Sequence, residues 1–166
     1  MSKKMLAPSK AAADAPLRIK KILVPFDFGE PARHALEFAQ KLAPSVGASV
    51  EALYVVAHSP IAAPAAPGLG AVPVALPSVD DVGERVDGAK AKLHEVLAEE
   101  GTRSRYLRKT VEVGDPRAQI VAHAAAEGVD LIVMGTHGRK GPSRLLFGSV
   151  AERVVREAPC PVLTVH

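Results

Sequence analysis

Four short apolar runs and one alternating stretch, separated by four longer stretches that carry helix signals, constrain the fold of this chain more than any other feature. Ile19 to Phe26, Ala48 to Val56, Arg105 to Val113, Asp130 to Val133 and Pro161 to Val165 each read as a strand. Pro31 stands where a first helical residue belongs, with Gly29 or Glu30 as cap, and Ala32 to Ala43 continues that helix. Ser78, with Asp81 three residues on, opens a helix that runs to about Glu100. Gly114-Asp115-Pro116 supplies a turn, a cap and a first helical residue, and Gly128 ends the helix that reaches Glu127. Gly148 to Glu157 reads as the last helix. Parallel strands need crossover connections, which helices provide. The alternation therefore predicts one α/β domain, a five-stranded parallel sheet with helices on both faces.

Composition agrees. Apolar residues make up 48% of the 166 and aromatic residues only 4%, so the core must be built from Ala, Val, Leu and Ile. The net charge of +3 owes much to Lys3, Lys4, Lys10, Arg18, Lys20 and Lys21. Residues 1–18 read as a disordered basic tail and 19–166 as the domain. With so few aromatics there is no platform on which single-stranded bases stack, and no nucleic-acid partner is expected. Within the domain, residues 58–77 hold Pro60, Pro64, Pro67, Pro73 and Pro77 with Gly68 and Gly70, a long Ala- and Pro-rich loop of the kind that tends to be functional. Cys160 is the single cysteine, which leaves no intramolecular disulfide and suits a reducing compartment. Flanked by Pro159 and Pro161, it reads as a buried small hydrophobe. The chain shows neither an apolar run of membrane-spanning length nor a signal-peptide core, so a cytoplasmic location is expected.

The stretch from Met134 to Val150 carries the functional signal. An apolar strand leads into Gly135, two residues, Gly138, nine residues, and then Gly148-Ser149 at the start of a helix. Glycine lets the backbone approach a ligand closely, and a helix N-terminus presents N–H groups and a dipole that favour an anion. In this order the parts make a phosphate cradle. The spacing is neither that of the P-loop nor that of the dinucleotide fingerprint.

This glycine spacing resembles that of the universal stress protein family, in its ATP-binding branch, over roughly Lys20 to His166. The resemblance implies a Rossmann-like fold and a site for ATP, ADP or AMP. Asp27, after the first strand, matches the family's position that reads the adenosine moiety; alone it would read as a turn or capping Asp. Pro25 and Phe26 match positions that contact the base. Val55 matches an apolar position packed on the adenine, though by itself it reads as core. Met134 and Gly135 match positions lining base and ribose, and Gly138 lets the chain pass the phosphates, where Arg139 would add charge. Gly148, Ser149 and Val150 match the β- and γ-phosphate end. Two positions depart from the pattern: Gly29 and Ala151 stand where the family often has a hydroxyl-bearing or polar side chain. The resemblance also implies a homodimer through the last strand, Val162 to Val165.

The chemistry available is limited. His34, His58, His94, His123, His137 and His166 form no pair with metal-ligand spacing, so no protein metal site is expected; Mg²⁺ would be held by nucleotide phosphates. His137 reads as a loop or phosphate contact, and no other residue suggests a general base, so no catalytic residue is assigned and any hydrolysis should be slow. The leading expectation is an ATP-binding, nucleotide-responsive stress module with a protein partner. A slow ATPase or phosphate- or adenylate-transferring enzyme, and a dimeric interaction module with a non-functional nucleotide site, are the alternatives.

Overall fold

The computed structural model describes residues 18–57, 79–99, 107–136 and 148–165. Along the chain lie β1 (Lys21–Pro25), α1 (Glu30–Val46), β2 (Ser49–Ala57), α2 (Val79–Glu99), β3 (Leu107–Gly114), α3 (Pro116–Ala126), β4 (Leu131–Gly135), α4 (Ser149–Glu157) and β5 (Val162–Val165). All five strands are parallel, in the order β3-β2-β1-β4-β5. The five-stranded parallel α/β sheet predicted by the alternation, and the Rossmann-like fold implied by the resemblance, are the fold observed. The basic tail through residue 17, the 58–77 segment and the Ser78 cap lie outside the described residues.

Alternation along each strand sorts the core into two clusters, one per sheet face. Ile22 and Val24 of β1, Val50 and Ala52 of β2, and Leu131 and Val133 of β4 pack with Ala32, Ala35, Leu36 and Ala39 of α1 and Leu93, Val96 and Leu97 of α2. Leu23, Leu53, Val55, Ile132 and Met134 turn the other way, onto Ile120 and Ala124 of α3 and Ala151 and Val154 of α4. Alanine on the inner face of α1 lets the helix lie close to the sheet. Burial of these side chains, at about 25 cal/mol per Å² of apolar surface, is the main force holding the layers together.

Helix boundaries follow local chemistry. Asp115 caps α3 by accepting the Arg117 N–H at 3.1 Å, and Gly128 adopts φ 60 just beyond it. α1 runs past Ala43, through Pro44, to Val46. A proline in the last turn removes only one donor, and the terminator is Gly47 at φ 70, with the Ala48 N–H reaching the Ala43 carbonyl at 2.9 Å. β4 is longer than the apolar run suggested. Gly135 is its last residue, in register with Val165 of β5, so the first glycine of the motif belongs to the sheet rather than the loop.

Candidate nucleotide site

From β1 the chain winds outward through β2 to β3, and from β4 it winds the other way to β5, so the strand order reverses between β1 and β4. Crevices at the carboxyl ends of such neighbouring strands are where open α/β sheets take ligands. Asp27 follows β1 and Thr136 follows β4, which brings the two separately predicted parts of the site to the same edge.

The segment 137–147, with His137, Gly138 and Arg139, lies outside the described residues. Its two ends are tied together: the Gly148 N–H donates to the Thr136 carbonyl at 2.8 Å, and the Thr136 N–H donates to the Val165 carbonyl at 3.2 Å. The strand end and the helix start of the motif are thus fixed side by side.

The helices that follow β1 and β4, α1 and α4, are both capped by glycine. Gly29 and Gly148 are extended (φ −77, ψ 160 and φ −73, ψ 159) and supply no side-chain capping bond, unlike Asp115 at α3. Ser149 is the first residue of α4, exposed, one position past the cap. Val150 beside it is partly buried against the second core cluster. First-turn N–H groups of a helix lack intrahelical partners, so an uncapped start suits an anionic ligand.

Asp27 is half-buried, and its Oδ1 accepts the Gly29 N–H at 2.9 Å. Between them Phe28 sits at φ 67, the one non-glycine with positive φ among the described residues. Its ring meets Phe26 edge-on (centroids 5.5 Å apart, 76° between planes), tilts onto Tyr54 (4.8 Å, 57°) and lies under the Lys92 ammonium, 5.0 Å from the ring centroid. Left-handed backbone costs a bulky residue about 1–3 kcal/mol, and aromatic and cation–π contacts of about 0.5–1.5 kcal/mol each are of the size to offset it.

Of the other predicted contact residues, Pro25 ends β1 and is partly buried, whereas Phe26, Val55 and Met134 are core side chains, 2%, 8% and 4% exposed. Ala151 is also core, 3% exposed, packed among Leu23, Ile132 and Val154. A polar side chain at 151 would enter that apolar cluster, so the missing hydroxyl there says little against a ligand. At 29 the backbone N–H, not a side chain, is the group engaged with Asp27.

Cys160 is half-buried rather than fully buried. Its thiol is pushed up by burial and by the charge of Asp130, which makes it a poor nucleophile. Sequence reasoning missed a buried polar cluster on the α3 face of the sheet. His123 places Nδ1 2.6 Å from Glu112 Oε1 and Nε2 3.2 Å from Glu51 Oε1, which also accepts the Thr110 hydroxyl at 2.6 Å. The signal was present, since a lone glutamate within an apolar strand needs a buried partner. Among the described residues no three His, Cys, Asp or Glu side chains are grouped as metal ligands, and no helix is long and apolar enough to cross a membrane.

Fold and site together define a doubly wound α/β protein of Rossmann type with glycine-capped helices at its switch point. The sequence model of the universal stress protein family matches residues 18–166, and the chain belongs to that family. Universal stress protein MJ0531 of Methanocaldococcus jannaschii is 36% identical over 158 residues, which cover 88% of this chain and 81% of that protein. Universal stress protein UspA from Lactobacillus plantarum superposes with a TM-score of 0.70 at 28% identity, over 90% of this chain and 99% of that one. A universal stress protein in complex with cAMP shares the fold (TM-score 0.63, 22% identity, 90% and 98% coverage).

Proposed function

We propose that this chain binds an adenine nucleotide, ATP or its ADP or AMP relatives, across the carboxyl edge between β1 and β4. The observation that carries this reading is the 2.8 Å bond from the Gly148 N–H to the Thr136 carbonyl, which holds the start of α4 against the end of β4 at the switch point. Asp27 accepts hydrogen bonds from the adenosine moiety, with Pro25, Phe26, Val55, Met134 and Gly135 shaping the base and ribose end. Gly138, Arg139, Gly148, Ser149 and Val150 serve the phosphates, whose Mg²⁺ needs few protein ligands. The cAMP complex of a universal stress protein supports an adenine nucleotide as the ligand class.

The nucleotide acts as a signal rather than a fuel. His123, under α3 and away from the switch point, is already engaged by Glu51 and Glu112. Any hydrolysis is slow. The bound form presents a surface to a protein partner, and differential affinity of ATP for two conformations sets how much of that form exists. β5 lies at the end of the sheet with β4 as its neighbour, and pairing with the β5 of a second copy would cover that edge, giving a cytoplasmic homodimer. Calorimetric titration of Mg²⁺-ATP tests the reading: saturable binding that is lost in a folded Gly138→Val variant is expected. Absence of binding at millimolar ATP would leave the interaction-module alternative.

A further inference from the structure

The chain has four phenylalanines and two tyrosines, and three of these six rings meet at one place, beside Asp27. Such concentration in an aromatic-poor chain is not needed to fill a core built elsewhere from Ala, Val, Leu and Ile. Phe28 is the middle ring, and its φ of 67 reverses the backbone immediately after Asp27, so that the Gly29 N–H points back to Asp27 Oδ1 at 2.9 Å. Moving residue 28 out of this φ would redirect the Gly29 N–H relative to the Asp27 carboxylate. The ring is held from two other elements: Tyr54 on β2 and Lys92 on α2. A second tie joins the same two elements, since Arg85 of α2 donates to the Ala57 carbonyl at the end of β2 at 3.0 Å.

We propose that Phe28 is a positioning residue: clamped between Tyr54 and Lys92, it holds the left-handed turn that aims the Asp27 carboxylate at the nucleotide. The role rests on the adenine-nucleotide reading, but its first consequence is visible without nucleotide. In Phe28→Ala the Gly29 amide proton should lose its hydrogen-bonded chemical shift and its exchange protection, and in Phe28→Tyr it should keep both. An unchanged Gly29 amide in Phe28→Ala overturns the proposal whether or not the protein binds ATP.

With ATP, Phe28→Ala should weaken binding by about tenfold, the size of one lost oriented hydrogen bond, while Phe28→Tyr stays within about twofold of the native protein. In an Asp27→Asn background Phe28→Ala should add little, because the group it positions is already altered. Equal losses in the two backgrounds would show a general packing role and overturn the proposal. If Phe28→Ala does not fold, Lys92→Gln, at an exposed side chain, carries the test. It should weaken ATP by about threefold and reduce the Gly29 protection, and native behaviour in both readouts overturns the proposal. A native protein that keeps the Gly29 behaviour but binds no ATP would sink the nucleotide reading alone.

Discussion

Gly135 stands so close to Pro31 that a Cβ on it would come within 2.6 Å of the proline Cβ and 2.8 Å of its carbonyl carbon. The first glycine of the motif is therefore fixed by the docking of α1 onto the end of β4, before any ligand is considered. Gly135→Ala forces the helix start and the strand end apart. It should cost about 1–3 kcal/mol, with the thermal midpoint falling about 2–4 °C per kcal/mol. An unchanged midpoint would show that α1 shifts without penalty.

Ser149 separates capping from ligand binding. The cap of α4 is Gly148, and Ser149 is the exposed residue after it. Ser149→Ala should leave stability within about 0.5 kcal/mol of native while weakening ATP several-fold. A large loss of stability with unchanged affinity would make the serine a structural device.

Glu51 is 2% exposed and His123 8%, and they lie 3.2 Å apart, with Thr110 and Glu112 beside them. Removing His123 leaves Glu51 with the Thr110 hydroxyl at 2.6 Å and the Arg108 guanidinium at 3.7 Å, too little for a carboxylate so buried. His123→Leu should cost about 3–5 kcal/mol in chemical denaturation, and the Glu51→Leu, His123→Leu double variant should recover much of that loss. Strictly additive losses would mean that the two side chains act independently.

The fold was legible because each strand's apolar run and each helix's start signal sit within a few residues of the observed element. Gly114-Asp115-Pro116 supplied turn, cap and first helical position as read. Pro44 hid the last turn of α1, since a proline ordinarily ends a helix and the true terminator, Gly47, lies three residues on. That Asp27 and the glycine motif each follow a strand was legible from the alternation, but that β1 and β4 are neighbours was not, because strand order leaves no local mark. The Phe28 clamp was not, because Tyr54 and Lys92 come from β2 and α2 and no local pattern ties them to residue 28. The Glu51–His123 pair likewise joins residues 72 apart in sequence.

At the opposite edge, Glu127 accepts from Lys21 Nζ at 3.2 Å and Arg108 at 3.1 Å. The Lys21 hydrogen bond, then the charges of Lys21 and Arg108, hold its carboxyl below the ordinary range. Asp115 is lowered in the same direction, chiefly by its bond from Arg117. The folded state then binds the proton more weakly than the unfolded chain. The resulting stabilisation is present above the ordinary carboxylate range and is lost as pH falls through it toward the depressed folded values. Glu127→Gln should flatten this acid limb in thermal melts across pH, and added salt should flatten it in the native protein, since Asp115 is exposed and 33% of the Glu127 side chain is open to solvent. An acid limb unchanged in the variant would remove Glu127 from the account.

The central claim is the location of the nucleotide at the β1–β4 switch point, and amide chemical-shift mapping during titration with Mg²⁺-ATP tests it most directly. The account predicts saturable shifts at Asp27, Gly29, Thr136, Gly148, Ser149 and Val150, with little change at Lys21 and Asp130 on the amino edge, where the Lys21 N–H is held by Asp130 Oδ2 at 3.0 Å. Shifts confined to any other surface, or none at millimolar ATP, would contradict it.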